Sequence, residues 1–307
     1  MLSVIIPVKN GASHIEGCLN SIRSMEISDA EIEVIVVDNG STDDTREILA
    51  SQNVIVLREE TPGPYAARNR GANIARGDIL AFTDIDCRVD VQWASSILTA
   101  MERFDAVCGM SLGAEGGEIA RLIQSRYQEN IENRASATPP LPIFDTRNAA
   151  VRKVVFDEVG GFDTRLLDIA DDLLGILVLK SGHKIGFEPG MIITHIHPES
   201  LRDVGKRQRR HGRYIPTVRR FYDTDIQSAF PGLNRYGFVD RKGMIFRIAA
   251  AGLYTLSYVA ALLFSSKLRI SLMFPGRPFV RNFFDYYCRA TTVQGIAEAG
   301  WKSEDES

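Results

Sequence analysis

Cysteine is scarce in this 307-residue chain: Cys18, Cys87, Cys108 and Cys288 are scattered, with no CxxC pair and no zinc-like spacing. Neither a disulfide framework nor a thiolate zinc site is expected from them. An excess of charge of one sign is missing as well. The formal net charge is -3, so no global field argues for nucleic acid. No charged-then-apolar leader precedes the first apolar run, "LSVIIPV" (2–8). With reduced thiols, that favours the cytosol or its membrane face. The fingerprints GxGxxG and GxxxxGKS/T are absent, so a nucleotide here is held differently from NAD or ATP in those motifs. What remains is ordinary globular composition, 45% hydrophobic and 24% charged, on a chain long enough for one large domain or two smaller ones.

Short apolar runs alternate with amphipathic stretches over the first hundred residues. "LSVIIPV" (2–8), "EVIVVD" (33–38), "VIVL" (54–57) and "DILAFTD" (78–84) read as buried strands. Between them, Ile15, Cys18, Leu19 and Ile22 fall three and four apart, the spacing of one apolar helix face. "NGSTDDTREIL" supplies a turn and N-cap residues, with Thr42 or Asp43 as the cap, and Gly63-Pro64 opens a third helix through "AARNRGANIA". Strands apolar along their whole length and separated by helices predict a parallel sheet covered on both faces, a doubly wound α/β unit. From 105 to 195 the pattern is mixed. A strand is predicted at "DAVCGM", a helix over 118–134, a short strand and helix around "NAAVRKVVFDEVGG", and a helix closed by Gly182. Two further strands follow, "HKIGFE" and "MIITHI".

Ligands of a doubly wound sheet gather at the carboxyl ends of its strands. Those ends read "PVKNG", "VDNGSTD", "REETPGP" and "TDIDC". In the last, Asp84 and Asp86 stand one residue apart directly after a buried run. Such a pair either meets solvent or shares a cation, and Mg2+ or Mn2+ takes oxygen ligands of this kind.

Four blocks, "SVIIPVKNGASHIEGCLNSI", "VIVVDNGSTDDT", "GPYAARNRGANIARGDILAFTDIDC" and "EVGGFDTRLLDIADDLLGILVLKSGHKIGFEP", resemble in content and order those of the family 2 glycosyltransferases, over about residues 2–200. The resemblance implies a GT-A, Rossmann-like nucleotide-binding fold with a mixed central sheet. It also implies transfer of a sugar, with inversion, from a nucleotide-sugar (most often a UDP-sugar) to an acceptor hydroxyl, with Mn2+ or Mg2+ as cofactor. By the same resemblance Pro7, Val8, Asp38, Arg68, Asp84 and Ile85 meet the donor nucleotide, with Arg70 a rival to Arg68. Asp86 binds the metal, and the late histidines His195 and His197 are either further ligands or solvated or core residues. Arg147 and Asn148 fall where the family binds acceptor or donor sugar. The family's general base sits in a Glu-Asp pair opening a helix. The matching positions here are Ala170 and Asp171, with Asp172 a rival base. The family's second aspartate falls at Leu173 and a later arginine at Leu177. These departures also permit a catalytically weak or inactive scaffold subunit. Acids at a helix N-terminus are in any case favoured by the macrodipole.

The last third, 201–307, is expected to be a separate basic, helical region following a 1–200 catalytic domain. "VGKRQRRHGRYIPTVRR" (204–220) is densely basic but lacks interleaved aromatics for stacking bases. Anionic lipid headgroups, or a diphosphate as in membrane-associated members of the family, suit it better. The uncharged run 248–266, within a segment 244–266, is long enough for a bilayer core or for a buried helix. The aromatic block 278–288 reads as interfacial. The expected partners are therefore a nucleotide-sugar donor, a glycan or lipid-linked acceptor and membrane lipids, with no nucleic acid. The expected location is the cytoplasmic face of the membrane.

Overall fold

The computed structural model describes residues 1–26, 31–135, 144–198 and 200–221, together with 288, 291 and 294. The chain divides into two compact units, Met1–Glu115 with Tyr127–His197 and Gly116–Arg126 with Pro198–Ser307.

In the first unit the elements begin β1 (Leu2–Val8), α1 (Ile15–Arg23), β2 (Ile32–Asp38), α2 (Thr45–Ala50), β3 (Ile55–Arg58), α3 (Pro64–Ile74) and β4 (Ile79–Thr83). They continue with β5 (Cys87–Val89), α4 (Trp93–Met101) and β6 (Ala106–Gly113). After α5 (Glu118–Ala135), which crosses from the second unit into the first, come β7 (Asn148–Arg152), α6 (Lys153–Glu158), α7 (Ala170–Lys180) and β8 (Ile185–His195). The strands form one sheet in the order β3-β2-β1-β4-β7-β6-β8-β5. The first four run parallel, whereas β7 is antiparallel to both β4 and β6. β8 lies parallel to β6, and β5 closes that edge antiparallel to β8. The sheet is therefore mixed.

Every residue of β1 and β4 is buried, as their unbroken apolar runs require when helices cover both faces. On one face Ile15, Cys18, Leu19 and Ile22 of α1 join Trp93, Ile97 and Met101 of α4 in the main core. On the other, α3 lies so close to β1 that a Cβ on Gly71 would meet Ile5 Cγ2 at 2.6 Å. Phe82, Phe156, Phe162 and Tyr65 pack there with ring centroids 5.3–5.8 Å apart. Burial of one Phe-sized side chain is worth on the order of 2–3 kcal/mol, so this cluster anchors α3 and α6 firmly.

Four elements differ from the sequence reading. β3 is an edge strand, with Ile55 and Val56 36% and 42% exposed, rather than a strand covered on both faces. The two strands expected at 183–188 and 191–196 are one strand, β8. Its Pro189-Gly190 step sits in an irregularity where Gly109 pairs Glu188 but Met110 pairs Ile192. A Cβ on Gly109 would lie 2.1 Å from Met191 O, so only glycine admits this crossing. β5 and α4 had no counterpart in the reading.

In the second unit, α8 (Leu201–Phe221) opens with a buried stripe. Val204 and Cys288 form a small core with Ile119, Leu122, Ile123 and Leu201. Residues 116–126 thus belong with the same unit as Pro198–Ser307. The uncharged run 248–266 lies outside the described residues, as does the aromatic block 278–288 apart from Cys288. Among the described residues no helix is long and apolar enough to cross a membrane.

Candidate active site

The parallel strands end side by side, and their loops are stitched together by polar groups. Val8 pairs with Asp38 across β1 and β2. Asp38 is 1% exposed, and its Oδ1 accepts the Ser41 N–H at 2.9 Å. Its Oδ2 accepts no hydrogen bond and lies 3.6 Å from Arg46 Nε. The loop after β1 is held on the loop after β2. Asn10 N–H donates to Ser41 Oγ, Gly11 N–H to Thr45 Oγ1, and Thr42 N–H to Asn10 Oδ1, all within 2.8–2.9 Å. Asn39 ties in the third loop by donating to Glu59 O and Thr61 O and accepting from Gly63 N–H. Neither residue expected to cap α2 holds the cap position, which is Asp44 with no side-chain cap bond, although Asp43 accepts from the Thr45 N–H at 3.2 Å. Pro7 and Val8 are buried, and the Val8 carbonyl accepts the Asn39 N–H at 2.8 Å.

The acid pair lies between β4 and β5. Arg68, 3% exposed on α3, donates from Nη2 to Asp84 Oδ1 at 2.5 Å, while Arg70 is exposed. Of the two arginines, only Arg68 reaches the site, and it meets Asp84 there. Burial raises the Asp84 pKa, with Asp86 adding to the rise and the Arg68 charge opposing it. Asp86 differs. Burial again favours its neutral form, but the hydrogen bond and charge of His195 outweigh that and hold its pKa below the ordinary carboxylate value. The pairing of β5 with β8 puts Cys87 opposite His195, which brings His195 Nε2 to 3.4 Å from Asp86 Oδ2. His195 and His197 are both buried, with their Nδ1 atoms 3.1 Å apart, so one ring donates and the other accepts.

Asp86, Cys87 and His195 offer ligand atoms that all lie within 4.8 Å of one another. Burial, then the two aspartates, drives the Cys87 thiol well above its usual pKa, and a soft sulfur donor suits Mn2+ or Mg2+ less than oxygen does. The remaining carboxylate and imidazole fit a divalent ion. An imidazole among the donors suits Mn2+ better than Mg2+. For His195 to offer the Nε2 lone pair, its Nδ1–H must donate to His197, so His197 is placed to set the tautomer rather than to ligate.

Across the rim, Asp171 stands in the first turn of α7, just after Ile169, whose φ of 61° is a left-handed conformation rare for a β-branched residue. Tyr65 Oη donates to Asp171 Oδ1 at 2.8 Å, and Thr146 Oγ1 donates to Oδ2 at 3.1 Å. Burial pushes the Asp171 pKa up to about 6, with the charges of Asp172 and Asp145 adding to the effect. A carboxyl with that pKa is ionised at neutral pH yet close enough to it to take a proton.

A family model described as "Glycosyl transferase family 2" matches residues 3–160. The chain belongs to glycosyl transferase family 2. It is 33% identical over 209 residues to glycosyltransferase AglE of Haloferax volcanii, covering 63% of this chain and 66% of that protein. Identity to the pre-mycofactocin glycosyltransferase of Mycobacterium tuberculosis is 28% over 221 residues, 66% of this chain and 44% of that protein. The chain thus matches less than two thirds of either relative's length. Among solved structures, the mannosyltransferase PcManGT from Pyrobaculum calidifontis, in complex with GDP-Man and Mn2+, superposes with a TM-score of 0.66 at 19% identity. The match covers 97% of this chain and 87% of that one. TarS 1-349 of S. aureus in complex with UDP-GlcNAc gives 0.55 at 18%, covering 100% and 92%. The shared fold is the mixed-sheet, GT-A-like fold of glycosyltransferases.

Asp171 lies beyond the span that the family 2 model matches, so its place rests on the structure. The two departures beside it are core positions: Ala170 and Leu173 are 0% and 1% exposed, where a carboxylate would be buried without need. Leu177, at the family's arginine position, is half-buried. Arg147 is paired bidentately with Asp145 and lies 4.9 Å over the Tyr127 ring. Burial lowers its pKa, but the charge and hydrogen bonds of Asp145 more than offset that, and it is cationic. Asn148 corrects the sequence reading. It is 0% exposed and its amide is fully engaged, accepting from Trp93 Nε1 at 2.7 Å and donating to Met110 O and Met191 O. It joins β6, β7 and β8 rather than facing a sugar. The reading also missed Tyr65, Thr146 and Asp145. Asp145 carried a signal, since an acid two residues before Arg147 can pair locally; Tyr65 carried none.

Proposed function

We propose that the chain is an inverting, divalent-metal-dependent glycosyltransferase that moves a sugar from a nucleotide-sugar to a glycan or lipid-linked acceptor. The observation that carries this reading is one run of direct contacts. Asp84 bonds Arg68, Arg68 lies 5.3 Å from the Tyr65 ring centroid, and the Tyr65 hydroxyl bonds Asp171. It brings the acid pair and a proton-accepting carboxylate to one rim of the sheet.

Asp171 takes the proton of the acceptor hydroxyl. The freed oxygen pair forms the bond to the anomeric carbon, and the bond from that carbon to the diphosphate breaks, its electrons leaving with the phosphate oxygen. Attack opposite the leaving group inverts the anomeric centre. Asp86 and His195 are the residues that would hold Mn2+ or Mg2+, and such an ion supplies positive charge for the departing diphosphate. Arg147 adds a fixed cation at the same rim. Asp38 offers one buried oxygen with no donor while Ser41 N–H occupies the other. One free acceptor matches the single ring N–H of uracil better than the paired N–H groups of guanine, which favours a UDP-sugar. GDP-Man with Mn2+ in one structural neighbour and UDP-GlcNAc in another support the donor class and the metal.

α8 exposes Arg202, Lys206, Arg207, Arg210 and Arg213, at helical spacing opposite its buried Val204. A basic face of this kind favours contact with anionic lipid at the cytoplasmic face of the membrane.

The test is release of nucleoside diphosphate from a panel of nucleotide-sugars, including UDP-GlcNAc and GDP-mannose, with Mn2+ or Mg2+ and candidate acceptors. Release that Asp86→Ala and Asp171→Asn both abolish supports the enzyme. Nucleotide binding without turnover across the panel would instead favour a scaffold subunit.

A further inference from the structure

Tyr65 sits in the first turn of α3, 5% exposed. Its ring packs on Phe162 at 5.3 Å between centroids and lies equally far from the Arg68 guanidinium carbon. Its hydroxyl crosses 106 residues of sequence to reach Asp171 Oδ1 at 2.8 Å. The other carboxylate oxygen accepts from Thr146, through Oγ1 at 3.1 Å and N–H at 3.4 Å. A carboxylate gripped on both oxygens from two separate elements cannot turn about its own bond. A base that cannot turn keeps its lone pair where a hydroxyl must present its proton.

We propose that Tyr65 is a positioning residue for the transfer reaction: its hydroxyl fixes the Asp171 carboxylate and ties it to the Arg68–Asp84 pair. The inference rests on the reading of Asp171 as the base. Tyr65 does not itself touch the reacting atoms. It acts through Asp171, and it can only donate there, because burial and then the Asp171 charge push its own pKa well above that of a free phenol.

The charged groups facing Asp171 come from three places. Asp172 on α7 and Asp145 ahead of β7 repel its charge, and with burial they raise its pKa. Arg68 on α3 and the Tyr65 hydroxyl oppose the rise. Without that hydroxyl the carboxylate therefore takes its proton at a higher pH, and its Oδ1 keeps only the Asp172 N–H at 3.1 Å, so it is less firmly aimed. Less of the carboxylate is then ionised near neutral pH and its lone pair is less well aimed, while the donor-binding loops are untouched.

Tyr65→Phe separates this from a packing role, because it keeps the ring on Phe162 and Arg68 and removes only the oxygen. The direct readout needs no substrate. In full-length protein 13C-labelled at aspartate carboxyls, without Mn2+, the resonance lost in Asp171→Asn is titrated in wild type and in Tyr65→Phe. The wild-type midpoint is expected near the value of about 6 set by the fold. In Tyr65→Phe it should rise by about one pH unit, the size of one lost hydrogen bond to a charged group. Thr146→Val, which removes the hydroxyl donor from the other oxygen and leaves it the N–H, should move it the same way and serves if Tyr65→Phe does not fold. With UDP-GlcNAc as donor, Tyr65→Phe should lower kcat about tenfold at unchanged donor KM. A folded Tyr65→Phe protein with the wild-type midpoint and kcat overturns the proposal. If Asp171→Asn keeps full turnover, the base reading fails instead, whatever the titration shows.

Discussion

Asp38, buried, and Asp171, half-buried, are carboxylates at the rim of one sheet, but they are held by different parts of the chain. Asp38 receives its donor from Ser41, three residues on, and its loop is fastened to the neighbouring loop by backbone N–H groups. Asp171 has one local donor, the Asp172 N–H, but its side-chain donors come from Tyr65 and Thr146, 106 and 25 residues away. The parallel side of the sheet is thus locally built, and the mixed side is assembled from distant elements. A locally built site survives change elsewhere, whereas an assembled one depends on the packing of every element that contributes to it. On the reading proposed above, this divides the work. The parallel side binds the nucleotide, and the mixed side times the proton transfer.

The largest expected effect comes from breaking the acid pair. Asp86→Ala should lower metal-dependent release of nucleoside diphosphate by about 10²-fold or more, and weaken Mn2+ binding followed by electron paramagnetic resonance. Next is the packing of the mixed side. Asn148→Leu strands the Trp93 N–H and two carbonyls in a dry interior, at about 1–3 kcal/mol per group. A fall in unfolding free energy of about 3 kcal/mol, measured in urea, is expected. Retention of full stability would show that Asn148 is not the joint between β6, β7 and β8.

A titration sharpens the same comparison. The Asp171 pKa is raised to about 6, so turnover should fall about tenfold per pH unit once the pH drops below that value. The linkage has the opposite sense for stability. An acid whose folded pKa exceeds its unfolded value stabilises the fold when protonated, so that contribution is present below the unfolded pKa of 3.8 and is lost as the pH rises through about 6. An acidic limb that does not follow the Asp171 titration would separate the rate from this group. The smallest effect is at Arg70. It is exposed, and Arg70→Ala should change unfolding free energy by no more than about 0.5 kcal/mol and leave turnover intact.

The same division explains what could be read before the fold was known. β1, β2 and β4 were legible because a strand covered on both faces must be apolar throughout, and Asp38, Asp84 and Asp86 followed as the residues at their ends. β3 was read as covered because "VIVL" looks the same at an edge as in the middle, and only the neighbours decide. β8 was split in two at Pro189-Gly190, a pair that ordinarily ends a strand but here fills an irregularity opposite Gly109. Asn148 falls by resemblance where the family binds sugar, and nothing near it in sequence signals that Trp93 claims its amide. The hold of Tyr65 on Asp171 left no trace at all, since nothing in "GPYAAR" refers to a helix a hundred residues on.

The most direct measurement compares donor binding with turnover in a single variant, Asp171→Asn. UDP binding in Mn2+ followed by calorimetry should stay within about twofold of wild type, while release of UDP from UDP-GlcNAc in the presence of acceptor falls by about 10²–10⁴-fold, the range of a lost general base. Undiminished release with intact binding would contradict the account, because the proton would then be leaving by a route that does not pass through Asp171.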